Sequence, residues 1–151
     1  MSLGSGVMTS HSNDEGFTFF EHTADIGIRA SAATIQELLV QMARGLRELL
    51  AEDSPVRPQE QRTLRLAAED ADLLLLKWLQ ELLFWFSTDR FLPAEFVFQQ
   101  ATPTSVVALV HGSRFDPSRD TQGREVKAIT RHQLDVRQAE GRWHGQVIVD
   151  I

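Results

Sequence analysis

The chain has 151 residues, of which 42% are hydrophobic, and its formal net charge is −6 at pH 7. This length suits one ordinary domain with a buried core, and so acidic a chain lacks the basic stripe with which proteins bind the phosphates of nucleic acids. Because cysteine is absent, a disulfide framework, a thiolate metal cage and catalysis by a thiol are excluded.

The sequence carries no membrane or secretion signal. No apolar run approaches the roughly 20 residues that span a bilayer, and the N-terminus has no basic region followed by an apolar core. We therefore expect a cytoplasmic protein without membrane contact. Residues 1–16 are rich in Gly, Ser and Thr and predict a disordered lead, and a second methionine, Met8, is consistent with added residues ahead of it. The domain is expected to cover residues 17–151.

A short polar stretch, residues 21–25 (Glu-His-Thr-Ala-Asp), stands between two predicted strands. The first strand is aromatic, Phe17–Phe20, and the second alternates polar and apolar residues, Ile26–Ala30. Two carboxylates and an imidazole this close together are compatible with metal ligands, with an acid/base set or with a polar turn. For His22 alone, a buried ring that hydrogen-bonds the backbone is the commonest of the possible arrangements.

Two helices are predicted. Thr34 followed by Glu37 forms a capping box, which predicts a helix over Ile35–Leu50 with one apolar face. A second helix opens near Asp70 and continues to about Thr88. Its apolar stripe is so broad that we interpret it as a central core helix rather than as a partner groove or a membrane surface.

Most of the remaining segments alternate as strands do and are separated by turn residues. The predicted strands are Thr63–Ala67, Glu95–Phe98, Ser105–Val110, Val126–Thr130 together with Leu134–Val136, and Trp143–Val149. Two helices among many strands predict an α+β fold, a single-domain sandwich with two main helices packed on one face of a largely antiparallel or mixed β-sheet.

Carboxylates at the two ends of the predicted domain suggest a cation site. If the fold gathers Asp25, Asp150 and the terminal carboxylate of Ile151 at one end of the sheet, their oxygens can bind a hard cation. Spacing alone favours the alternative that both acids are exposed residues of turns or strand ends, because residues so far apart in sequence carry no signature of proximity.

A second charged motif lies in the C-terminal half. Glu125 and Lys127 are two residues apart and are predicted to project from the same face of their strand, with Thr130 and His132 beyond them. Such a pair is often only a surface ion pair worth less than about 1 kcal/mol. Asp116 precedes a proline and is interpreted as a turn residue. The chain has no phosphate-binding glycine loop, no nucleophilic serine elbow and no paired-histidine zinc motif.

Several motifs together resemble the archease family, from Phe17 to the end of the chain. They are Phe20–Ile28 with its His-Thr-Ala-Asp sequence, the leucine-rich second helix, Glu125–Thr130 and the final Asp-Ile pair. Arg131 departs from the pattern, because the family more often has an aromatic residue before the histidine. This departure concerns local packing or the shape of a partner surface.

The resemblance implies a small α+β sandwich that is not itself an enzyme. It implies an activator of the RtcB class of RNA ligase, which promotes guanylylation of the ligase and its multiple turnover in tRNA splicing or RNA repair. In that system the ligase carries the catalytic histidine and uses GTP and manganese. The resemblance also implies a divalent-metal site, with Ca²⁺ favoured and Mg²⁺ or Mn²⁺ as alternatives. It assigns the metal site to Asp25, Asp150 and Ile151, and supporting or partner-activating roles to His22, Glu125, Lys127 and Thr130.

Two other classes of function stay open at this point. The first is a general chaperone or protein-modulating module that uses the apolar second helix. The second is a metal-dependent hydrolase built on His22, Asp25 and Asp150, in which the metal activates water.

Overall fold

Nine strands and two helices make up the part of the chain that the computed structural model describes, residues 16–22 and 25–151. Residues 1–15, on which most of the expected disordered lead falls, lie outside the described residues, as do Thr23 and Ala24 of the polar stretch. Gly16, the last residue of that lead, begins the first strand.

The elements follow one another in a fixed order along the chain. The strands are β1 Gly16–His22, β2 Asp25–Ala32, β3 Ala51–Glu52, β4 Glu60–Ala67, β5 Phe91–Thr102, β6 Ser105–Arg114, β7 Thr121–Gln122, β8 Ala128–Ala139 and β9 Arg142–Asp150. The helices are α1 Ile35–Leu50, between β2 and β3, and α2 Ala71–Asp89, between β4 and β5. The predicted α+β class is confirmed.

The strands divide into two main sheets and a short ribbon, all with antiparallel pairing. One sheet has the order β1-β2-β9-β8, the other has the order β4-β6-β5, and β3 pairs with β7. Both helices contact strands of both main sheets. Each helix therefore buries apolar surface against both sheets. Helices packed on one face of a single sheet would bury such surface against that sheet only.

Helix α2 is the centre of the core, as its composition predicted. Trp78 in this helix is fully buried, and its indole Nε1 donates a hydrogen bond to the Leu39 carbonyl of α1 at 2.9 Å. On its other side, the Trp78 ring lies 5.4 Å from Phe96 and 5.8 Å from Phe98, both in β5. One side chain thus ties the two helices to the three-stranded sheet.

Both helices begin where the capping signals placed them. Thr34 Oγ1 accepts a hydrogen bond from the Glu37 N–H at 3.1 Å, and the hydroxyl donates to Glu37 Oε1 at 3.2 Å. Asp70 Oδ1 accepts from the Leu73 N–H at 2.9 Å. These side chains satisfy N–H groups that have no partner within the first turn of a helix.

Alternation along β2 separates the two faces of the four-stranded sheet. Ile28 and Ala30 are buried against the helical layer, whereas Arg29 is exposed on the opposite, outer face. Since successive side chains of a strand point to opposite faces, Asp25 and Gly27 share the outer face with Arg29. The candidate site is therefore on the outside of this sheet.

Candidate functional site

The register of the four-stranded sheet aligns three of the predicted site residues in one row. Asp25, the first residue of β2, is the direct partner of Asp150, the last residue of β9. In the same row, His22 of β1 pairs with Asp25, and Ala128 of β8 pairs with Asp150. The fold thus brings together the two carboxylates whose proximity the sequence could not show.

Directly opposite residues in antiparallel strands have Cβ atoms about 4.5–5.5 Å apart on the same face of the sheet. Asp25 and Asp150 are both half-buried, so water screens their charges less than it would at a fully exposed position. Like charges in directly opposite positions destabilise a sheet. A cation bound between the two carboxylates would remove this repulsion.

The donor atoms of the side chains described at this row are carboxylate oxygens. In the described part of the chain, no group of three or more His, Cys, Asp or Glu side chains is arranged to hold a metal ion. Two side-chain carboxylates are present, and the next residue after Asp150 is the half-buried Ile151. Oxygen donors of this kind suit Ca²⁺, Mg²⁺ or Mn²⁺ and do not suit a thiolate-bound zinc ion.

The row that contains Asp25 and Asp150 is called the carboxylate row below. His22 lies in it through its backbone pairing with Asp25. Its neighbours Thr23 and Ala24 lie outside the described residues, and so does the side chain of His22. Whether this imidazole is a metal ligand, a general base or a buried ring that hydrogen-bonds the backbone therefore stays a prediction.

Glu125 and Lys127 do not lie on a strand, and that part of the prediction is wrong. Strand β8 begins at Ala128, so both residues belong to the connection before it. They flank the buried Val126 and are themselves exposed. The backbone reaches the carboxylate row nonetheless, because the Lys127 N–H donates to the Asp150 carbonyl at 2.8 Å.

Thr130 secures an irregularity in the sheet. Its Oγ1 donates to the Ile148 carbonyl at 2.9 Å and accepts from the His132 N–H at 3.2 Å. The register between β8 and β9 shifts between Gln146 and Ile148. Arg131 follows Thr130 and is exposed, so its departure from the family pattern affects a surface and not the core.

A cluster of Phe20, Arg29 and Gln146 lies beside the carboxylate row and was not predicted from the sequence. The Phe20 ring packs over Gly27, where an added Cβ would lie 2.1 Å from the ring. The Arg29 guanidinium lies 4.3 Å from the centre of the Phe20 ring, and its Nε and Nη2 donate to Gln146 Oε1 at 3.1 and 2.9 Å. Alternation along β2 could have placed Arg29 on the face of Asp25, but its partner in β9 depends on the register.

A separate groove of about 500 Å³ lies beside β4 and contains none of the predicted site residues. Asp116 lies in its wall, in the turn that the sequence predicted. The Ser118 hydroxyl donates to Asp116 Oδ1 at 2.7 Å and the Ser118 N–H donates to the same oxygen at 3.0 Å. These two hydrogen bonds lower the pKa of Asp116. Asp116 therefore stabilises a loop.

Among the described residues, neither helix has the length and apolar character required to cross a bilayer.

Comparisons with known proteins agree with the fold and with the motifs. Residues 17–151 match the model of the Archease protein family (MTH1598/TM1083). Among curated relatives, the protein archease of Methanosarcina mazei is 30% identical over 144 residues, covering 93% of this chain and 99% of that protein. The protein archease of Methanopyrus kandleri is 35% identical over 136 residues, covering 87% of this chain and 96% of the relative.

Solved structures show the same architecture. The solution structure of Methanobacterium thermoautotrophicum protein 1598 superposes with a TM-score of 0.76 at 29% identity and covers 90% of this chain and 99% of that one. A crystal structure from Thermotoga maritima, described as an archease and possible chaperone, has a TM-score of 0.58 at 20% identity, covering 87% and 94%. Its likeness supports the fold alone. With a family match that spans nearly the whole described chain, this protein belongs to the archease family.

Proposed function

We propose that this protein activates an RtcB-type RNA ligase by promoting guanylylation of the ligase and its multiple turnover in tRNA splicing or RNA repair. Membership of the archease family supports the proposal. The observation that carries it is the pairing of Asp25 with Asp150 at the end of β2 and β9. Two carboxylates held side by side at an outer face, away from the core, are suited to bind a group that belongs to another molecule.

The proposal includes a divalent cation at this row. Asp25, Asp150 and the α-carboxylate of Ile151 would hold it, with Ca²⁺ favoured over Mg²⁺ and Mn²⁺. When bound, the cation would neutralise the carboxylates and present a positive centre at the outer face. Lys127 supports the row through its hydrogen bond to the Asp150 carbonyl.

Two further residues have supporting roles in the proposal. Thr130 holds β9 through its hydrogen bond to the Ile148 carbonyl, two residues before Asp150. His22 belongs to the same row as Asp25. Both roles orient the carboxylates and require no proton transfer.

The charge of the protein suits a protein partner better than RNA. Its net charge is −6, whereas a ligase that binds RNA and GTP needs basic surface for their phosphates. Opposite charges speed the encounter of two proteins and restrict their orientation. The proposal therefore includes no direct contact with nucleic acid.

A guanylylation assay tests the proposed function. The ligase is incubated with labelled GTP in the presence of wild-type protein, of Asp25→Asn or of Asp150→Asn, and the rate of covalent labelling is measured. Asp53→Asn is the matched control, because Asp53 is an exposed acid in a turn. We expect the two site variants to lose stimulation and the control to keep it. Folded site variants that stimulate at the wild-type rate would overturn the proposal.

The same preparations separate the two alternative functions. A metal-dependent hydrolase would cleave phosphoester substrates in the presence of metal and in the absence of the ligase, and we expect no turnover. A general chaperone, the role that the description of the Thermotoga maritima protein names as possible, would suppress aggregation of unrelated clients whether or not Asp25 is present. We expect stimulation to be confined to the ligase.

A further inference from the structure

Residues 123–127, which connect β7 to β8, are anchored to the C-terminal end of α1. The Gly123 N–H donates to the Leu50 carbonyl at 3.1 Å, and the Arg124 N–H donates to the Leu49 carbonyl at 2.6 Å. Carbonyl groups in the last turn of a helix have no partner within the helix. The connection supplies two of these partners, and so its backbone path is fixed by α1.

The other end of the same connection is anchored to the carboxylate row. The Lys127 N–H donates to the Asp150 carbonyl at 2.8 Å. Between the two anchors, the side chain of Val126 is 9% exposed and belongs to the core. These contacts restrict the backbone at both ends and in its middle, and the exposed residues on either side of Val126 project from it.

Gly123 has no side chain, so the connection can approach the end of α1 closely enough to form these hydrogen bonds. A Cβ at this position would lie 2.1 Å from the Leu49 carbonyl oxygen and 2.9 Å from the carbonyl carbons of Leu49 and Leu50. These are backbone atoms of α1, which cannot turn aside as the end of a flexible side chain can. Any residue other than glycine must therefore move the connection away from the helix.

The connection presents two charged side chains that the described residues leave unpaired. Glu125 and Lys127 are exposed, and within residues 16–22 and 25–151 neither side chain has a hydrogen-bond or ion-pair partner. Lys127 is the neighbour of the Asp150 backbone. Charged groups that are held by a rigid backbone but have no partner in their own chain are suited to contact another molecule.

We propose that Gly123 is a positioning residue, which holds Glu125 and Lys127 beside the Asp25–Asp150 pair by docking their connection against the C-terminal end of α1. The inference rests on the proposed activation of an RNA ligase and adds a residue that touches neither metal nor partner. The contact between Gly123 and α1 sets the orientation of Glu125 and Lys127. The partner contacts these two side chains together with the carboxylates.

The test replaces Gly123 with alanine and compares the product with Gly141→Ala. Gly141 has φ +75° in the turn between β8 and β9, and nothing lies within 4 Å of its Cβ position. Alanine at Gly141 therefore strains the backbone at the far end of β9 without touching the connection. Thermal unfolding of both variants shows that each is folded at the assay temperature.

The maximal rate of guanylylation is then measured at saturating concentrations of each variant. We expect Gly123→Ala to lower this maximal rate about ten-fold or more, since displaced groups lose their effect steeply, and Gly141→Ala to leave it unchanged. Equal maximal rates for both variants would overturn the positioning role. If Gly123→Ala does not fold, Arg124→Pro removes the N–H that binds Leu49, with Arg124→Ala as the control that keeps it.

Amide hydrogen exchange gives a readout that does not depend on the ligase. In Gly123→Ala we expect the Lys127 amide to exchange about ten-fold faster than in Gly141→Ala. The reason is that the connection is no longer attached to α1, which supports the hydrogen bond from Lys127 to the Asp150 carbonyl. Unchanged exchange at Lys127 would overturn the inference by itself. Stimulation that survives Asp25→Asn would instead overturn the proposed function and leave the exchange result to decide the role of Gly123.

Discussion

Asp25 and Asp150 stand directly opposite each other, at the first residue of β2 and the last residue of β9. Like charges in directly opposite positions of a sheet are destabilising unless another group balances them. The sequence around them is otherwise consistent with the fold, from the helix caps to the apolar face of β2. The two carboxylates are the feature of this sheet on which we base the proposed cation site.

Asp25→Asn should lose most of the stabilisation that Ca²⁺ gives to the wild type. Unfolding in EDTA gives the reference free energy of each protein without bound metal. In Ca²⁺ at about 100 times its dissociation constant, the wild type should gain about 2.7 kcal/mol and the variant much less. Urea unfolding with and without Ca²⁺ measures both effects.

The control for that experiment is Asp53→Asn, in an exposed turn where φ is 47°, a conformation that asparagine tolerates. It should respond to Ca²⁺ as the wild type does. An undiminished Ca²⁺ response in both Asp25→Asn and Asp150→Asn would show that the row does not hold the metal.

Two glycines added after Ile151 should weaken metal binding. The addition converts the α-carboxylate of Ile151 into an amide and moves the terminal charge away from Asp150. We expect the Ca²⁺ affinity measured by titration calorimetry to fall about ten-fold, equivalent to about 1.4 kcal/mol. Ile151→Val keeps the carboxylate and changes only the side chain, so it should bind as the wild type does. Equal affinities for the extended and native chains would exclude the terminal carboxylate as a ligand.

Glu60→Gln should lose stability near neutral pH and match the wild type in acid. The Arg62 guanidinium donates to Glu60 Oε2 at 2.8 and 3.0 Å, and Arg114 donates to Oε1 at 3.2 Å. The hydrogen bond from Arg62, more than any other interaction, holds the pKa of Glu60 below its usual value.

Because that pKa is depressed by folding, the stabilisation is present above the unfolded value of about 4.3 and is lost as the pH falls through the lower folded value. Urea unfolding of Glu60→Gln and wild type between pH 7 and pH 3 should therefore give a difference that shrinks only below about pH 4. A difference that stays constant down to pH 3 would mean that packing, and not charge, distinguishes the two proteins.

Two aromatic residues of α2 should differ sharply in their effect on stability. Trp78→Ala should cost about 3–5 kcal/mol, because it empties a fully buried site and removes the hydrogen bond to Leu39. Phe84 is 57% exposed, and Phe84→Ala should change the free energy of unfolding by less than about 0.5 kcal/mol. Urea unfolding compares them. Similar losses of stability in the two variants would contradict the assignment of Trp78 to the core and of Phe84 to the surface.

Much of the local structure follows from the sequence because its causes are local. Thr34 and Asp70 mark helix starts through bonds that span three residues. The apolar composition of α2 predicts a core helix, although it does not show that two sheets share its surface. Val126 and Lys127 were predicted as the start of a strand, yet that strand begins at Ala128 and the residues before it connect to the end of α1.

The sequence by itself determined both helices, most of the longer strands, the alternation along β2 and the motifs of the archease family. Only the tertiary structure decided that Asp25 faces Asp150 and that Lys127 joins them. The physical reason is that alternation along a strand sets the face of each side chain, while the partner across the sheet depends on which strands pair and in which register. That register is fixed by the burial of a whole face, with contributions from residues throughout the chain.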